Sequence, residues 1–245
     1  EHAGQRVLFD GGQGPALLPN LALAGIRANE LSALVLSHGH YDHAGGFKEL
    51  FDAGDLSQKK LYAHPDVFGS RYSRNADGSL KPIGLSWNAD DARQAGLEYV
   101  PMKGQHSIAP GITAFNEIPQ STSLRRDERL TRDKGHGPEP DPFLDDTSLL
   151  VDAPGGPVLV LGCAHAGVVE IMEHIAAVRG LDHFQAVIGG SHLEHAPEFY
   201  LLRLVETLDR FRVKTVALNH CTGFTAAARL YRVMPRRFTV APAGA

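Results

Sequence analysis

The amino-acid sequence predicts an α/β protein, because short apolar strand patterns alternate with helical patterns along its 245 residues. Several of these strand patterns end in a loop rich in glycine and histidine just before the next helix, and ligands of α/β folds gather at such strand ends. The composition, with 43% hydrophobic and 21% charged residues, is that of a globular protein with a substantial core. We predict a single domain over residues 1–245.

The first elements follow from short local patterns. Residues 6–9 form a short apolar strand that ends at the turn Asp10-Gly11-Gly12. Leucines recur at helical spacing over residues 15–26 and predict a helix. Residues 34–36 are predicted as a buried strand that runs into a histidine-rich segment, and the next helix is predicted over residues 45–51.

The second half of the chain continues the alternation. A β-hairpin is predicted at 148–151 and 157–161, around a turn of sequence APGG. The elements after it are a helix at 166–178, a strand at 184–188, a helix at 197–211, a strand at 215–218 and a final short helix and strand.

Residues 66–145 lie between these halves and are predicted as an irregular insertion. The segment carries the charge run RRDER at 125–129 and the sequence GHGPEP at 135–140. Charge runs are typical of a solvated surface loop, whereas long insertions in compact domains often form a lid over a substrate. Both interpretations stay open, and under the second Arg125, Arg126 and Arg129 are candidate contacts for a phosphate group.

The segment SHGHYDH directly after the predicted strand at 34–36 is the strongest chemical signal. His38 and His40 are two residues apart, so in an extended segment their side chains point the same way. Asp42 and His43 follow where the chain turns into a helix. Imidazole and carboxylate groups are ligands for zinc, iron or manganese, and four of them at this spacing predict a metal site rather than a histidine-rich surface loop.

Three later strand patterns also end in a loop that carries a histidine. The loops are GCAHAG at 162–167, GGSHL at 189–193 and NHCTG at 219–223. Because the ends of neighbouring parallel strands meet at one edge of a sheet, we expect His165, His192 and His220 to join the first motif.

Together these motifs resemble those of the metallo-β-lactamase superfamily, and in particular its dihydropterin synthase-like branch from methanopterin biosynthesis. The segment HGHYDH matches the HxHxDH signature, and the three later loops match the GCxHAG, GGxHL and HCTG motifs of that branch. The resemblance covers most of the chain. It implies a four-layer αββα sandwich, with N-terminal strands absent or shortened and an inserted segment at about 66–145.

The resemblance also implies roles for the site residues. One metal ion would be held by His38, His40 and His165, and a second by Asp42, His43 and His220. His192 stands where the hydrolases of the superfamily place a bridging aspartate, and it is interpreted as a metal ligand, a general acid or a substrate contact. Asp42 is expected to orient the attacking water, whereas Asp145 and Asp146 are interpreted as structural carboxylates.

Three functions remain open at this stage. The first is a metal-dependent hydrolase of a small phosphorylated or cyclic ester substrate, which uses a metal-activated water. The second is a synthase that joins a dihydropterin unit to an aminobenzene ribose phosphate, and the third is a non-catalytic metal- or ligand-binding module. The expected cofactor is one or two zinc ions, with iron or manganese as alternatives.

Composition and charge limit the classes of partner expected for this protein. The net charge of −4 and the lack of a basic run exclude nucleic-acid binding as the main function, which leaves a small-molecule substrate. No apolar stretch approaches the length of a membrane span. The two cysteines, Cys163 and Cys221, are expected to be small buried thiols in a reducing compartment, so we predict a cytoplasmic location. A homo-oligomer is left open.

Overall fold

The computed structural model describes residues 1–53, 56–120 and 127–241. The strands are β1 (Val7–Phe9), β2 (Ala33–Val35), β3 (Lys60–Ala63), β4 (Ser70–Arg74), β5 (Leu80–Pro82), β6 (Glu98–Pro101), β7 (Gln105–Ala109), β8 (Ile112–Phe115), β9 (Leu130–Asp133), β10 (Pro138–Pro140), β11 (Ser148–Ala153), β12 (Gly156–Leu161), β13 (Ala186–Gly190), β14 (Thr215–Asn219) and β15 (Phe238–Val240). The helices are α1 (Leu17–Leu23), α2 (Tyr41–Ala53), α3 (Ala89–Gln94), α4 (Val168–Arg179), α5 (Glu198–Arg210) and α6 (Phe224–Val233). Within these three ranges, no helix has both the length and the apolar character that crossing a membrane requires.

The chain divides into two compact units. The first unit consists of Glu1, Ala3–Lys103 and Arg126–Asp145, and the second of His2, Gly104–Arg125 and Asp146–Ala245. Each unit has its own hydrophobic core. The single domain predicted for residues 1–245 stays a prediction.

The first unit contains a parallel sheet in the order β1-β2-β3-β6 and an antiparallel sheet in the order β10-β9-β4-β5. Strand β2 is buried along its whole length, as its run of apolar residues predicts for an inner parallel strand. The hydrophobic core of this unit contains Phe47 and Leu50 of α2 and Leu34 of β2, and all three side chains are fully buried. This packing fixes the end of β2 and the start of α2, between which the SHGH segment lies.

The second unit contains one seven-stranded sheet in the order β15-β14-β13-β12-β11-β8-β7. Its four strands from β12 to β15 are parallel to one another, and the other neighbours pair antiparallel. In the register of the parallel strands, Leu161 pairs with Gly189 and Gly189 pairs with Leu218. The three histidine-bearing loops of this unit therefore leave the sheet at the same edge.

Residues 66–145 carry more regular structure than the sequence predicts. The stretch contains β4 to β10 and α3, and its residues are divided between the two units. These elements are short and several are polar, as in the sequence SRYSR of β4 and PEP of β10, so they lack the apolar alternation by which strands are recognised. A lid function for this stretch stays a prediction.

Candidate metal centre

Three histidines of the first unit converge directly after β2. The Nε2 atom of His38 lies 3.0 Å from the Nδ1 atom of His40, and the ring centroid of His38 lies 4.2 Å from that of His43. Their exposed fractions are 0%, 6% and 6%. Such burial contradicts a solvated histidine-rich loop, and the three imidazoles lie close together at the end of β2.

A glycine between the first two histidines allows the chain to pass close to its neighbours. A Cβ atom on Gly39 would lie 2.2 Å from the carbonyl oxygen of Val67 and 2.4 Å from Nη1 of Arg71. Any side chain at this position would therefore displace backbone, and with it His38 and His40.

Asp10 orients the cluster from the end of β1. Its carboxylate accepts hydrogen bonds from the backbone N–H of Ser37 at 2.7 Å and from the Ser37 hydroxyl at 2.7 Å, and it contacts Nδ1 of His43 at 2.6 Å. The Ser37 hydroxyl also contacts Nδ1 of His38 at 2.8 Å. A carboxylate behind a histidine is the usual support of a metal-ligating imidazole, since it fixes the tautomer and the ring orientation.

From its local sequence Asp10 is recognisable only as part of a turn. Its φ of 64° is unusual for a residue other than glycine, and such backbone strain clusters at functional sites. The one signal in the sequence was an aspartate placed directly after a strand and before two glycines.

The acidic member of the motif lies beside the third histidine. Helix α2 begins at Tyr41, so Asp42 and His43 belong to its first turn, four residues before the helix start predicted near Gly45. The Oδ2 atom of Asp42 lies 4.0 Å from Nε2 of His43, and the Asp42 side chain is 32% exposed. The carboxylate therefore stands at the solvent side of the histidine cluster.

A buried ion-pair network holds the loop that carries His38 and His40 in place. Asp145 accepts a hydrogen bond from the backbone N–H of Gly39 at 2.8 Å and pairs with Arg71 at 2.8 Å. Arg71 also pairs with Asp141 at 2.8 Å. Burial raises the pKa of Asp145, while the Arg71 charge and the Gly39 N–H act in the opposite direction. These contacts agree with the structural role expected for Asp145.

The second unit brings another set of histidines to the ends of its parallel strands. The ring centroids of His165, after β12, and His192, after β13, lie 4.5 Å apart. His220 follows β14 directly. Ala164, His192 and His220 have φ values of 54°, 45° and 50°. Three non-glycine residues in the left-handed region at one sheet edge indicate backbone strain there, which is common at functional sites.

Asp146 fixes the first of these loops. Its carboxylate is buried and accepts a hydrogen bond from the backbone N–H of Ala166 at 2.8 Å. The contact holds the residue next to His165, as expected for a structural carboxylate.

Both cysteines lie beside the histidines of the second unit. Ligand atoms of Cys163, His220 and Cys221 all lie within 4.8 Å of one another. The Sγ atom of Cys221 accepts a hydrogen bond from the backbone N–H of His192 at 3.1 Å. A hydrogen bond with the Cys163 thiol is the main cause that lowers the pKa of the Cys221 thiol well below its ordinary value. Cys163 is buried, as predicted, whereas Cys221 is half-buried.

The predicted anion contacts receive less support. Arg125 and Arg126 lie outside the described residues. Arg129 forms a two-point contact with the carboxylate of its neighbour Asp127, at 2.8 and 2.6 Å, on an exposed part of the loop. That pairing favours the solvated-loop interpretation for Arg129.

The donor atoms of the first unit fit a divalent cation. Two nitrogen ligands of a tetrahedral zinc ion, each at about 2.0–2.1 Å from the metal, lie about 3.3 Å apart. The 3.0 Å between Nε2 of His38 and Nδ1 of His40 is close to that spacing. A cluster that contains only imidazoles and carboxylates is also the donor set that zinc, iron and manganese accept.

Comparison with known proteins gives a consistent result. The family model described as the metallo-beta-lactamase superfamily matches residues 1–220. Over 229 residues, 91% of this chain and 77% of the relative, the chain is 27% identical to the 7,8-dihydropterin-6-methyl-4-(beta-D-ribofuranosyl)-aminobenzene-5'-phosphate synthase of Methanocaldococcus jannaschii. It is 30% identical over 231 residues to an uncharacterized protein of the same organism, covering 92% of this chain and 82% of that protein.

The comparison of folds agrees with the comparison of sequences. The crystal structure of a metal-dependent hydrolase of the beta-lactamase superfamily matches with a TM-score of 0.83 and 24% identity, over 98% of this chain and 87% of that one. The predicted fold class and the resemblance stated from the motifs are both confirmed.

Proposed function

Because this chain belongs to the metallo-β-lactamase superfamily, we propose that it is a metal-dependent enzyme that acts on a small molecule. The observation that carries the proposal is the buried cluster of His38, His40 and His43, oriented by the carboxylate of Asp10. A divalent ion bound there would polarise a phosphoryl or carbonyl oxygen of the substrate and lower the pKa of a bound water to about 7.

The ligand assignment follows the motif order of the family. We assign His38, His40 and His165 to one ion and Asp42, His43 and His220 to a second. His192, whose ring contacts that of His165, is assigned as a further ligand or as a group that donates a proton to the leaving group. Zinc is the ion we propose, and iron and manganese are the alternatives that the same donors accept.

We propose a synthase as the first candidate activity. The support is a curated relative of that function that aligns with 91% of this chain at 27% identity. The substrates would then be a reduced pterin and a phosphorylated aminobenzene riboside. In such a reaction the chain's own groups would position both substrates, the bond between the pterin unit and its leaving group would break as the new bond to the aminobenzene unit forms, and His192 would donate a proton to that leaving group.

Hydrolysis of a phosphorylated or cyclic ester is the second candidate. It is favoured by Asp42, whose carboxylate is one-third exposed and lies 4.0 Å from Nε2 of His43. A carboxylate at that place can accept a proton from an attacking water. The non-catalytic module stays as the third interpretation.

Product analysis separates the candidates. Protein loaded with zinc, iron or manganese is incubated with a reduced pterin and a phosphorylated aminobenzene riboside, and separately with a panel of phosphodiesters, phosphomonoesters, lactones and thioesters. A joined pterin product detected by mass spectrometry supports the synthase, and turnover in the panel alone supports the hydrolase. Bound metal without any product supports the non-catalytic module.

Metal content tests the site itself. His40→Ala is expected to remove at least one equivalent of metal and the activity with it, because His40 is proposed as a ligand. His136→Ala is the matched control, since His136 is exposed in the turn between β9 and β10. Full metal content in His40→Ala would remove His40 from the proposed centre.

Location and partners remain proposals. We propose a cytoplasmic enzyme, consistent with two cysteines too few for a disulfide framework. The acidic net charge of −4 supports a small-molecule substrate rather than a nucleic acid. Sedimentation analysis would show whether the chain forms a homo-oligomer.

A further inference from the structure

The two thiols of the second unit lie close to each other and to a histidine that could bind a metal ion. Cys163 follows β12 and Cys221 follows β14, so the parallel register brings both to the sheet edge that carries the histidine loops. Their Sγ atoms and a ring nitrogen of His220 all lie within 4.8 Å of one another. Two sulfur atoms and one imidazole nitrogen are a donor set in their own right.

We infer that Cys163, Cys221 and His220 form a mixed sulfur–nitrogen site for a thiophilic divalent cation such as Zn²⁺. The inference deepens the proposed function and rests on it in one respect, because His220 is taken as a metal ligand in both. It assigns sulfur ligands to the cation that His220 holds, which the proposed histidine and aspartate ligands do not include.

The distances suit such a site after small side-chain movements. In a tetrahedral zinc site, sulfur lies about 2.3 Å and nitrogen about 2.0–2.1 Å from the ion, so the ligand atoms are about 3.4–3.8 Å apart. The three donors are within 4.8 Å of one another and need to approach by at most about 1.4 Å. Rotation about the side-chain bonds of Cys221 and His220 supplies a shift of that size.

The backbone leaves no room for a larger residue between the thiols. A Cβ atom on Gly190 would lie 3.1 Å from Sγ of Cys221, 3.3 Å from Cα of Cys163 and 2.2 Å from the carbonyl oxygen of Gly162. Glycine at position 190 therefore keeps the two cysteines close together.

Exposure gives a cation access to the site from solvent. Cys163 is buried, Cys221 is half-buried and His220 is exposed. The donors thus run from the interior to the surface, where further ligands of the cation can join them. Each thiol releases its proton as its sulfur binds the cation, so binding is expected to acidify an unbuffered solution.

The ligand class follows from the donors. Thiolates select soft or borderline cations such as Zn²⁺, Cd²⁺ and Co²⁺, whereas Mg²⁺ and Ca²⁺ prefer oxygen ligands. We therefore expect Cd²⁺ to compete with Zn²⁺ for this site and Mg²⁺ not to compete.

Cobalt substitution tests the inference, because thiolate ligands give Co²⁺ a near-ultraviolet charge-transfer band that nitrogen and oxygen ligands do not. The chain contains two cysteines, so any such band must come from them. Metal-free full-length protein is titrated with Co²⁺, and visible d–d absorption reports bound cobalt of any ligation. We expect a near-ultraviolet band that falls about twofold in Cys163→Ser and in Cys221→Ser and is absent in the double variant, because each thiolate supplies one sulfur–metal bond.

A second measurement avoids any variant that fails to fold. X-ray absorption of the zinc-loaded wild-type protein should show sulfur at about 2.3 Å in addition to nitrogen or oxygen at about 2.0–2.2 Å. His220→Ala is expected to weaken cobalt binding, because His220 is proposed as a ligand, and His183→Ala is its matched control. His183 is half-exposed, pairs with Asp182 and lies before the start of β13, at the opposite end of the strand from Gly190.

The possible failures are distinguishable. Bound cobalt or zinc with no sulfur signal would overturn the mixed site and leave the metal-dependent function standing. A charge-transfer band that is undiminished in Cys221→Ser would likewise overturn it. If the wild-type protein binds neither metal, the proposed function fails together with this inference.

Discussion

Asp10 links three separate parts of the first unit through one carboxylate. Its two oxygens accept hydrogen bonds from the backbone N–H and the hydroxyl of Ser37, and one of them contacts the ring of His43. The Ser37 hydroxyl in turn contacts the ring of His38. Two candidate ligands are thus oriented by a residue that would not itself touch a metal. In such arrangements the supporting group sets ring orientation and ligand basicity.

Asp10→Asn is expected to lower zinc affinity about 10- to 100-fold, the usual cost of losing a supporting carboxylate. The amide is nearly isosteric but carries no charge to favour the correct His43 tautomer. Competition with a chromogenic chelator measures the affinity. Asp52→Asn, an exposed aspartate of α2, is the control, and equal affinity for both variants would contradict the role of Asp10.

The sequence revealed the candidate ligands but not the contacts that support them. His38, His40 and His43 are recognisable because ligand residues at fixed short spacing form a motif. Asp145 and Arg71 support the same loop from 106 and 32 positions beyond Gly39, and no local pattern links residues so far apart. Such partners emerge only when the strands and loops are placed in three dimensions.

At the scale of elements, the turn from β2 into α2 depends on close backbone contact. Gly39 passes against Val67, and Gly45 passes against Gln13, where a Cβ atom would lie 2.0 Å from the carbonyl oxygen. These contacts let the loop present His40 and Asp42 within a single turn.

Gly39→Ala is expected to destabilise the protein by more than the roughly 1–3 kcal/mol typical of overpacking, because the clash is with backbone. Gly14→Ala is the matched control, since a Cβ atom there meets nothing within 4 Å, and its effect should stay within about 0.5 kcal/mol. Urea denaturation of both variants measures the difference. Equal stabilities of the two variants would show that the loop accommodates the added methyl group at little cost in free energy.

Glu30 stabilises the short turn that precedes β2. It accepts hydrogen bonds from the backbone N–H of Arg27 at 2.8 Å and from the Arg27 side chain at 3.3 Å, which lower its pKa from 4.5 to about 2. A depressed carboxyl pKa adds stability that is complete above the ordinary pKa and is lost as the pH falls through the folded value.

Glu30→Gln should therefore lower the melting temperature at neutral pH, and this deficit should shrink as the pH falls from about 4.5 to about 2. Thermal melts of wild type and variant across this range measure it. A deficit that stays constant with pH would show that the Glu30 charge contributes nothing.

Long apolar elements were predictable and short polar ones were not. Helices α4 and α5 and strands β11 to β14 follow patterns of sufficient length, and the structure places them within a few residues of the predicted positions. Strands β9 and β10 have four and three residues, and β9 gains part of its pairing from β4, which is distant in sequence. Sheet partners of that kind leave no local signal.

At the scale of the whole molecule, the chain consists of two units with separate cores, and the proposed ligands come from both. Trp87, the single tryptophan of the sequence, is buried in the first unit and donates a hydrogen bond to the carbonyl oxygen of Ala44 in α2 at 2.8 Å. Its fluorescence therefore reports unfolding of the first unit, whereas far-ultraviolet circular dichroism reports both.

These two probes test whether ligands from both units serve the same ions. Zinc at about 100 times its dissociation constant stabilises a folded state by about 2.7 kcal/mol, which for a chain of this size raises the melting temperature by roughly 5–11 °C. If ligands from both units hold the metal, zinc should shift the fluorescence and circular-dichroism transitions equally, and His165→Ala should reduce both shifts. A circular-dichroism transition that splits in zinc, with only the part that coincides with the fluorescence transition shifted, would mean that the first unit binds its ion alone, and His165 and His220 would then lose their assigned roles.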